Sequence, residues 1–109
     1  MAERFGSFAE FWPYYLGEHA KPVTRGLHFL GTASGLSLLG LFLLRGDGVL
    51  LPLALVCGYA PAWIGHFFIE KNRPATFRHP LWSLRGDLRM FFLFMTGRLG
   101  KELRRLGLG

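Results

Sequence analysis

Acidic residues are scarce in this chain. Seven Asp and Glu stand against thirteen Lys and Arg, for a net charge of +6. Cysteine is scarcer still. Cys57 stands alone, so no disulfide can form within the chain, and a lone Cys inside an apolar run reads as small packing filler. The spacing of Cys/His zinc sites is missing. So are a Ser/His/Asp set with an oxyanion motif, a Gly-rich phosphate loop and paired catalytic carboxylates. Those absences set aside structural zinc, triad hydrolysis and nucleotide chemistry. Two long stretches also lack charge. Residues 27–44 and 49–69 contain no Asp, Glu, Lys or Arg.

Those two runs decide the class. At about 1.5 Å per residue they reach roughly 27 and 31 Å, close to the roughly 30 Å of bilayer hydrocarbon. Half of the chain is hydrophobic, with 11 Phe. An apolar and basic chain of this size suggests a membrane protein or a nucleic-acid binder. The spans leave too little chain for a nucleic-acid domain, and the basic tail carries no recognisable motif, so no nucleic-acid partner is expected. The first 26 residues hold Glu3, Glu10 and Glu18 and no continuous apolar core. The first span is therefore not read as a cleaved signal.

The expected fold is all-α: a single membrane domain, 1–109, built on a hairpin of two transmembrane helices at 26–44 and 48–70. An interfacial helix at 7–17 precedes the hairpin, and an interfacial C-terminal helix at 83–105 follows it. Ser7-Phe-Ala-Glu10 fits a capping box. Phe5, Phe8, Trp12 and Tyr15 follow at helical spacing and predict an aromatic helix lying in the membrane interface. Pro13 should bend or shorten that helix. Gly31-x-x-x-Gly35 and the row Ala54, Gly58, Ala62 permit close approach of another helix. Arg45-Gly-Asp-Gly48 is a tight turn, with Asp-Gly supplying the positive φ, and its brevity forces the spans to run antiparallel. Arg-Gly-Asp recurs at 85–87 and is read as turn chemistry there too. Leu88, Phe91, Phe92, Met95, Leu99 and Leu103 form an apolar stripe too short to span. The basic residues beside that stripe suit anionic lipid. Three Lys or Arg precede the first span and nine follow the second, which predicts cytoplasmic termini. A two-span hairpin has little core of its own, so a homo-oligomer is expected.

The histidines carry the chemistry. His28 lies 18 residues before Gly46, and His66 lies 19 after Asp47. At equal rise they reach the same depth, with His19 and His79 just beyond. All four imidazoles therefore gather at one end of the hairpin. Glu70, four residues after His66, shares its helix face, and Asp87 is a second carboxylate. Histidine with carboxylate is the ligand chemistry of non-haem Fe(II) oxygenases. An ionisable group at the end of a membrane run is a functional candidate by default. Three readings remain open on the residues alone: a metal site, a haem held by two histidines, and a metal-free membrane adaptor that dimerises through its Gly/Ala faces.

Four motifs bear a family resemblance. They are Tyr15-Leu-x-x-His19, Arg25-x-Leu-His-Phe-x-Gly-Thr32, Gly58-Tyr-x-x-Ala-Trp-x-Gly-His-Phe-x-x-Glu-Lys-Asn-Arg-Pro-Ala-Thr-Phe77 and Pro80-Leu-Trp-Ser-Leu-x-x-Asp-x-x-Met90. Over roughly residues 8–95 the chain resembles a family of small membrane proteins related to the fungal 2-hydroxy fatty acid dioxygenase of phytosphingosine α-oxidation, an endoplasmic-reticulum protein. The long third motif is the specific one. The resemblance implies an Fe(II)-dependent dioxygenase that shortens 2-hydroxy fatty acids by one carbon, with O₂ as co-substrate. It implies His19, His28 and His66 as catalytic metal ligands, with His79 or Glu70 completing or orienting the shell. On that reading the hydroxy acid chelates Fe(II). Arg73 pairs with its carboxylate, Asn72 bonds its hydroxyl, and Asp87 is a further substrate contact. The protein would sit in a bacterial inner membrane, or in the endoplasmic reticulum of a eukaryote.

Overall fold

The computed structural model describes residues 5–108. Residues 1–4 and 109, Glu3 among them, lie outside the described residues. Helix is the only regular structure among the described residues. Helix α1 is Phe8–Gly17, α2 is Pro22–Arg45 and α3 is Leu50–Ile64. A π-helical turn, Gly65–Glu70, continues α3, and a 3₁₀ turn, Ala75–Phe77, follows. Helices α4, Pro80–Met95, and α5, Leu99–Arg105, complete the chain.

Each boundary has a local cause. The Ser7 hydroxyl accepts from the Glu10 N–H at 3.3 Å, and the Glu10 carboxylate accepts from the Gly6 N–H at 3.3 Å. This is the expected box, with Glu10 reaching one residue farther back than usual. Pro22 at the first position lets α2 start earlier than residue 26, because its missing N–H would be unpaired there anyway. The positive φ of the hairpin turn falls on Gly46, at 71°, where the helix ends, and not at Asp-Gly. Asp47 instead accepts from the Val49 N–H at 3.2 Å. The expected single helix at 83–105 is two helices. Gly97, at φ 72°, breaks it with paired bonds from Arg98 N to Leu93 O and from Gly97 N to Phe94 O, the Schellman pattern.

Small residues set the hairpin. A Cβ on Gly31 would overlap the Gly58 carbonyl oxygen. One on Gly35 would come within 3.2 Å of the Ala54 carbonyl oxygen, and one on Gly65 within 2.9 Å of Thr24 Cγ2. As the residue number rises along α2, its partner's number falls by the same step, so the helices are antiparallel and in one register. The Gly/Ala faces are thus spent within the chain. Both arms, Pro22–Arg45 and Leu50–Glu70, are long and apolar enough to cross a membrane. Only 11% and 22% of their apolar windows are buried inside the protein, whereas the core helix of a water-soluble fold would be mostly covered.

The core lies to one side of the hairpin. Phe8, Phe11, Trp12, Tyr15 and Leu16 of α1 are buried with Phe29, Met90, Leu99 and Leu103. The aromatic face expected to lie in the membrane interface is therefore turned inward, onto α4 and α5. Gly86 permits this on α4, since a Cβ there would stand 3.1 Å from the Tyr15 ring. Arg85 sits over the Phe8 ring and Arg89 over Trp12, at 4.2 and 4.5 Å. The Trp12 indole N–H donates to Glu102 at 2.7 Å. The arginines tie α4 to α1, and the indole bond ties α5 to it.

Candidate metal centre

His28 and His66 reach each other through backbone direction. On the register of the seam, His28 lies level with Pro61, so His66 is five residues, or about 7.5 Å, nearer the open end. The expectation of equal depth is off by that amount, because the turn residues do not divide evenly between the arms. Helical side chains lean toward the N-terminus of their own helix. In an antiparallel pair the two lean in opposite senses. His28 therefore tilts toward the open end and His66 back toward the turn, and their ring centroids stand 5.9 Å apart.

His19 closes the group from the connector between α1 and α2. Its ring lies 4.5 Å from each of the other two. Arg25 holds the connector in place, donating to the His19 and Ala20 carbonyls at 2.9 and 3.0 Å. All three histidines are buried, and their candidate ligand atoms lie within 4.8 Å of one another.

The tautomers follow from the neighbours. His19 Nδ1 is 2.7 Å from the Tyr15 carbonyl oxygen, which can only accept, so Nδ1 carries the proton. His66 Nδ1 is 2.7 Å from Asn72 Oδ1. Asn72 Nδ2 donates to the Glu18 carbonyl at 3.2 Å, which fixes the amide with its oxygen toward His66. Both Nε2 atoms then present lone pairs, and they face each other at 3.0 Å. Burial pushes the His19 pKa well below its ordinary value, so an imidazolium proton between them is disfavoured. Two nitrogens each about 2.1 Å from one ion, at right angles, stand roughly 3.0 Å apart. The donor set therefore fits a cation.

Asp87 supplies the nearby carboxylate. Its Oδ1 is 3.5 Å from His28 Nε2 and accepts the Tyr15 hydroxyl. Burial pushes Asp87 up to about 7, against the Tyr15 bond, which lowers it. Burial and the Asp87 charge hold the Tyr15 hydroxyl well above its usual range, so it remains a donor. A cavity of about 10 Å³ lies among the three histidines, Asp87 and Trp63. That is room for about one water-sized atom.

Of the other candidates, His79, Glu70 and Arg73 lie outside the triad, and Asn72 touches it from behind. His79 precedes α4 and packs on Phe5, Phe11 and Trp82 at 5.3 to 5.6 Å, apart from the triad. Glu70 accepts from the Lys21 N–H at 2.7 Å, placing its charge at the start of α2, where the helix dipole favours an anion. Arg73 is exposed and stands 5.8 Å from the Phe77 ring. Asn72, expected at a substrate hydroxyl, has both ends of its amide engaged by His66 and Glu18. Sequence reasoning gave neither Tyr15 nor Trp63 a role at the histidine site. Both stand inside quoted motifs, Tyr15 one helical turn before His19 and Trp63 three residues before His66, and that spacing was the available signal.

No curated protein and no solved structure matches the chain. A family model described as 2-hydroxy-palmitic acid dioxygenase Mpo1-like matches residues 5–99, a stretch that takes in all three histidines, Tyr15, Asn72 and Asp87. With nearly the whole described chain inside that match, the protein belongs to the Mpo1-like family.

Proposed function

We propose that the protein is an Fe(II)-dependent dioxygenase of 2-hydroxy fatty acids, held in a membrane with both termini on the cytoplasmic side. His19, His28 and His66 would hold the metal. The observation that carries this is the pair of Nε2 lone pairs facing at 3.0 Å in a buried pocket, with both Nδ1 protons committed elsewhere. Bound Fe(II) would supply a centre for redox chemistry with O₂. Overall, the bond between the carboxyl carbon and the hydroxyl-bearing carbon breaks. The hydroxy acid and O₂ become an acid one carbon shorter, carbon dioxide and water.

The chain's own groups prepare that pocket. The Tyr15 carbonyl and Asn72 orient two imidazoles and raise their basicity as ligands. Asp87, bonded by Tyr15, sets a carboxyl beside His28. The exposed apolar faces of the hairpin suit a bilayer, which delivers a lipid acid with its head at the surface and its tail in hydrocarbon. A haem held between two histidines finds less support, since a 10 Å³ cavity has no space for a macrocycle. The adaptor reading loses its dimer face to the α2–α3 seam.

Detergent-purified protein should bind Fe(II) and convert a 2-hydroxy fatty acid to the acid one carbon shorter with O₂ uptake. His28→Ala and His66→Ala should lose both. Wild-type metal content in both variants would sink the assignment.

A further inference from the structure

An apolar groove of about 250 Å³ runs between the hairpin and α4. Gly35, Leu39, Leu51, Leu55, Leu84 and Leu88 line it. Tyr59 and Asp87 also line it, and the same two residues line the histidine cavity. The groove and the cavity therefore meet at those side chains. From Tyr59 to Leu51 the groove follows eight residues of α3, about 12 Å, away from the histidines and toward the hairpin turn. Its leucines are 40 to 63% exposed, and they lie at depths where the hairpin would meet hydrocarbon. At the other end, the Trp63 side chain lines the cavity, and its indole N–H is buried with no hydrogen-bond partner. A buried donor without an acceptor is costly, and an incoming oxygen would relieve it.

We infer that the groove seats the alkyl chain of the substrate acid, and that Trp63 Nε1 donates to an oxygen of its head. The inference rests on the reading of the site as one for 2-hydroxy fatty acids. It assigns the acyl subsite to the α2–α3–α4 groove and the head-group donor to Trp63, where Arg73 and Asn72 had been expected. The cavity admits one oxygen-sized atom, and the tail continues along the leucines. The occupant is a single alkyl chain, because one end of the groove carries Tyr59 and Asp87, which also line the histidine cavity, while the rest is aliphatic.

The test is photolabelling of the full chain in nanodiscs with two long-chain 2-hydroxy fatty acids. One carries a diazirine at its methyl end and the other a diazirine close to the carboxyl end. Methyl-end label should fall on Leu39, Leu51 or Leu55, and carboxyl-end label near Trp63. Leu55→Trp should weaken binding of the long-chain acid by roughly tenfold for every two methylenes displaced, with little change for a short-chain acid. Metal content should be unchanged. Trp63→Phe should weaken both acids alike, while a fatty amine of the same length binds as before. Label on the outer faces of α2 or α3, or equal binding of long chains by Leu55→Trp, overturns the inference. The two readings separate cleanly. Groove labelling without oxidation of the hydroxy acid removes the enzymatic reading and leaves the acyl seat. Oxidation with label elsewhere does the reverse.

Discussion

His19 and His66 face each other through their Nε2 atoms at 3.0 Å, although the other nitrogen of each ring already donates to an oxygen. Neither ring has a proton to offer the other. A cation between them would resolve the conflict, and removing either ring would remove the site. His19→Ala and His66→Ala should therefore lower bound Fe(II) below one tenth of the wild-type level, a loss of about 1.4 kcal/mol or more, measured by elemental analysis. Chelation of wild-type protein should lower its thermal midpoint, since a ligand bound only to the folded state stabilises it by mass action. The alanine variants should show no such shift.

Asn72 is expected to act through His66. Asn72→Ala should weaken metal binding by about 10 to 100-fold, the usual consequence of losing a partner that orients a ligating imidazole. Asn72→Asp should restore most of the loss, because a carboxylate also accepts from Nδ1. A competition titration with a metal-sensitive dye distinguishes the two. Equal weakening in both variants would mean that the side chain only shapes the turn.

The seam makes a contrast between glycines. Gly31→Ala places a methyl against the Gly58 carbonyl and must push the spans apart. It should destabilise the fold by about 1–3 kcal/mol, the range for overpacking, and reduce metal retention. Gly40 has nothing within 4 Å of its missing Cβ. Gly40→Ala should be neutral or stabilising by up to about 1 kcal/mol through helix propensity. Thermal unfolding in one detergent ranks them.

Acid should loosen α5 from α1. Hydrogen bonds from Arg105 and Trp12, with the Arg89 and Arg105 charges, outweigh burial and hold the Glu102 carboxyl down at about 2. A lowered folded pKa contributes stability that is complete above the unfolded value, near 4.5. It is lost as pH falls toward 2. The pairs are solvent-screened, so the amplitude should stay near 1 kcal/mol or below. Glu102→Gln should flatten the stability profile between pH 5 and 2, followed by Trp12 fluorescence, and high salt should do the same to the wild type.

The hairpin was legible because a bilayer imposes length and charge limits that composition reveals directly. Arithmetic about the turn then brought His28 and His66 together. Asp87 was named as a second carboxylate, but its place beside His28 could not be read, because that carboxyl is positioned by Tyr15, 72 residues away in sequence, through a helix packing set by Gly86. His79 looked like a fourth member because it follows the same polar segment. Pro80 starts a new helix beside it, and aromatic neighbours take the ring. The inward turn of α1 was hidden for a related reason. An aromatic stripe reads the same whether it meets lipid headgroups or another helix.

The wide turn at Gly65–Glu70 acts as an indexing step in the chain. It holds more backbone per revolution than the α3 helix before it, and Asn72 comes round to the His66 ring. Deleting one residue between 67 and 70 would let the segment relax to ordinary α-helix and remove the bond from the Asn72 N–H to the His66 carbonyl that closes the wide turn, with the helix phase after it nearly kept. Such a shortened protein should keep its hairpin and bind metal less tightly, because the turn that presents Asn72 to the His66 ring is gone. One peptide unit would then separate a bare membrane anchor from one with a metal-holding nest.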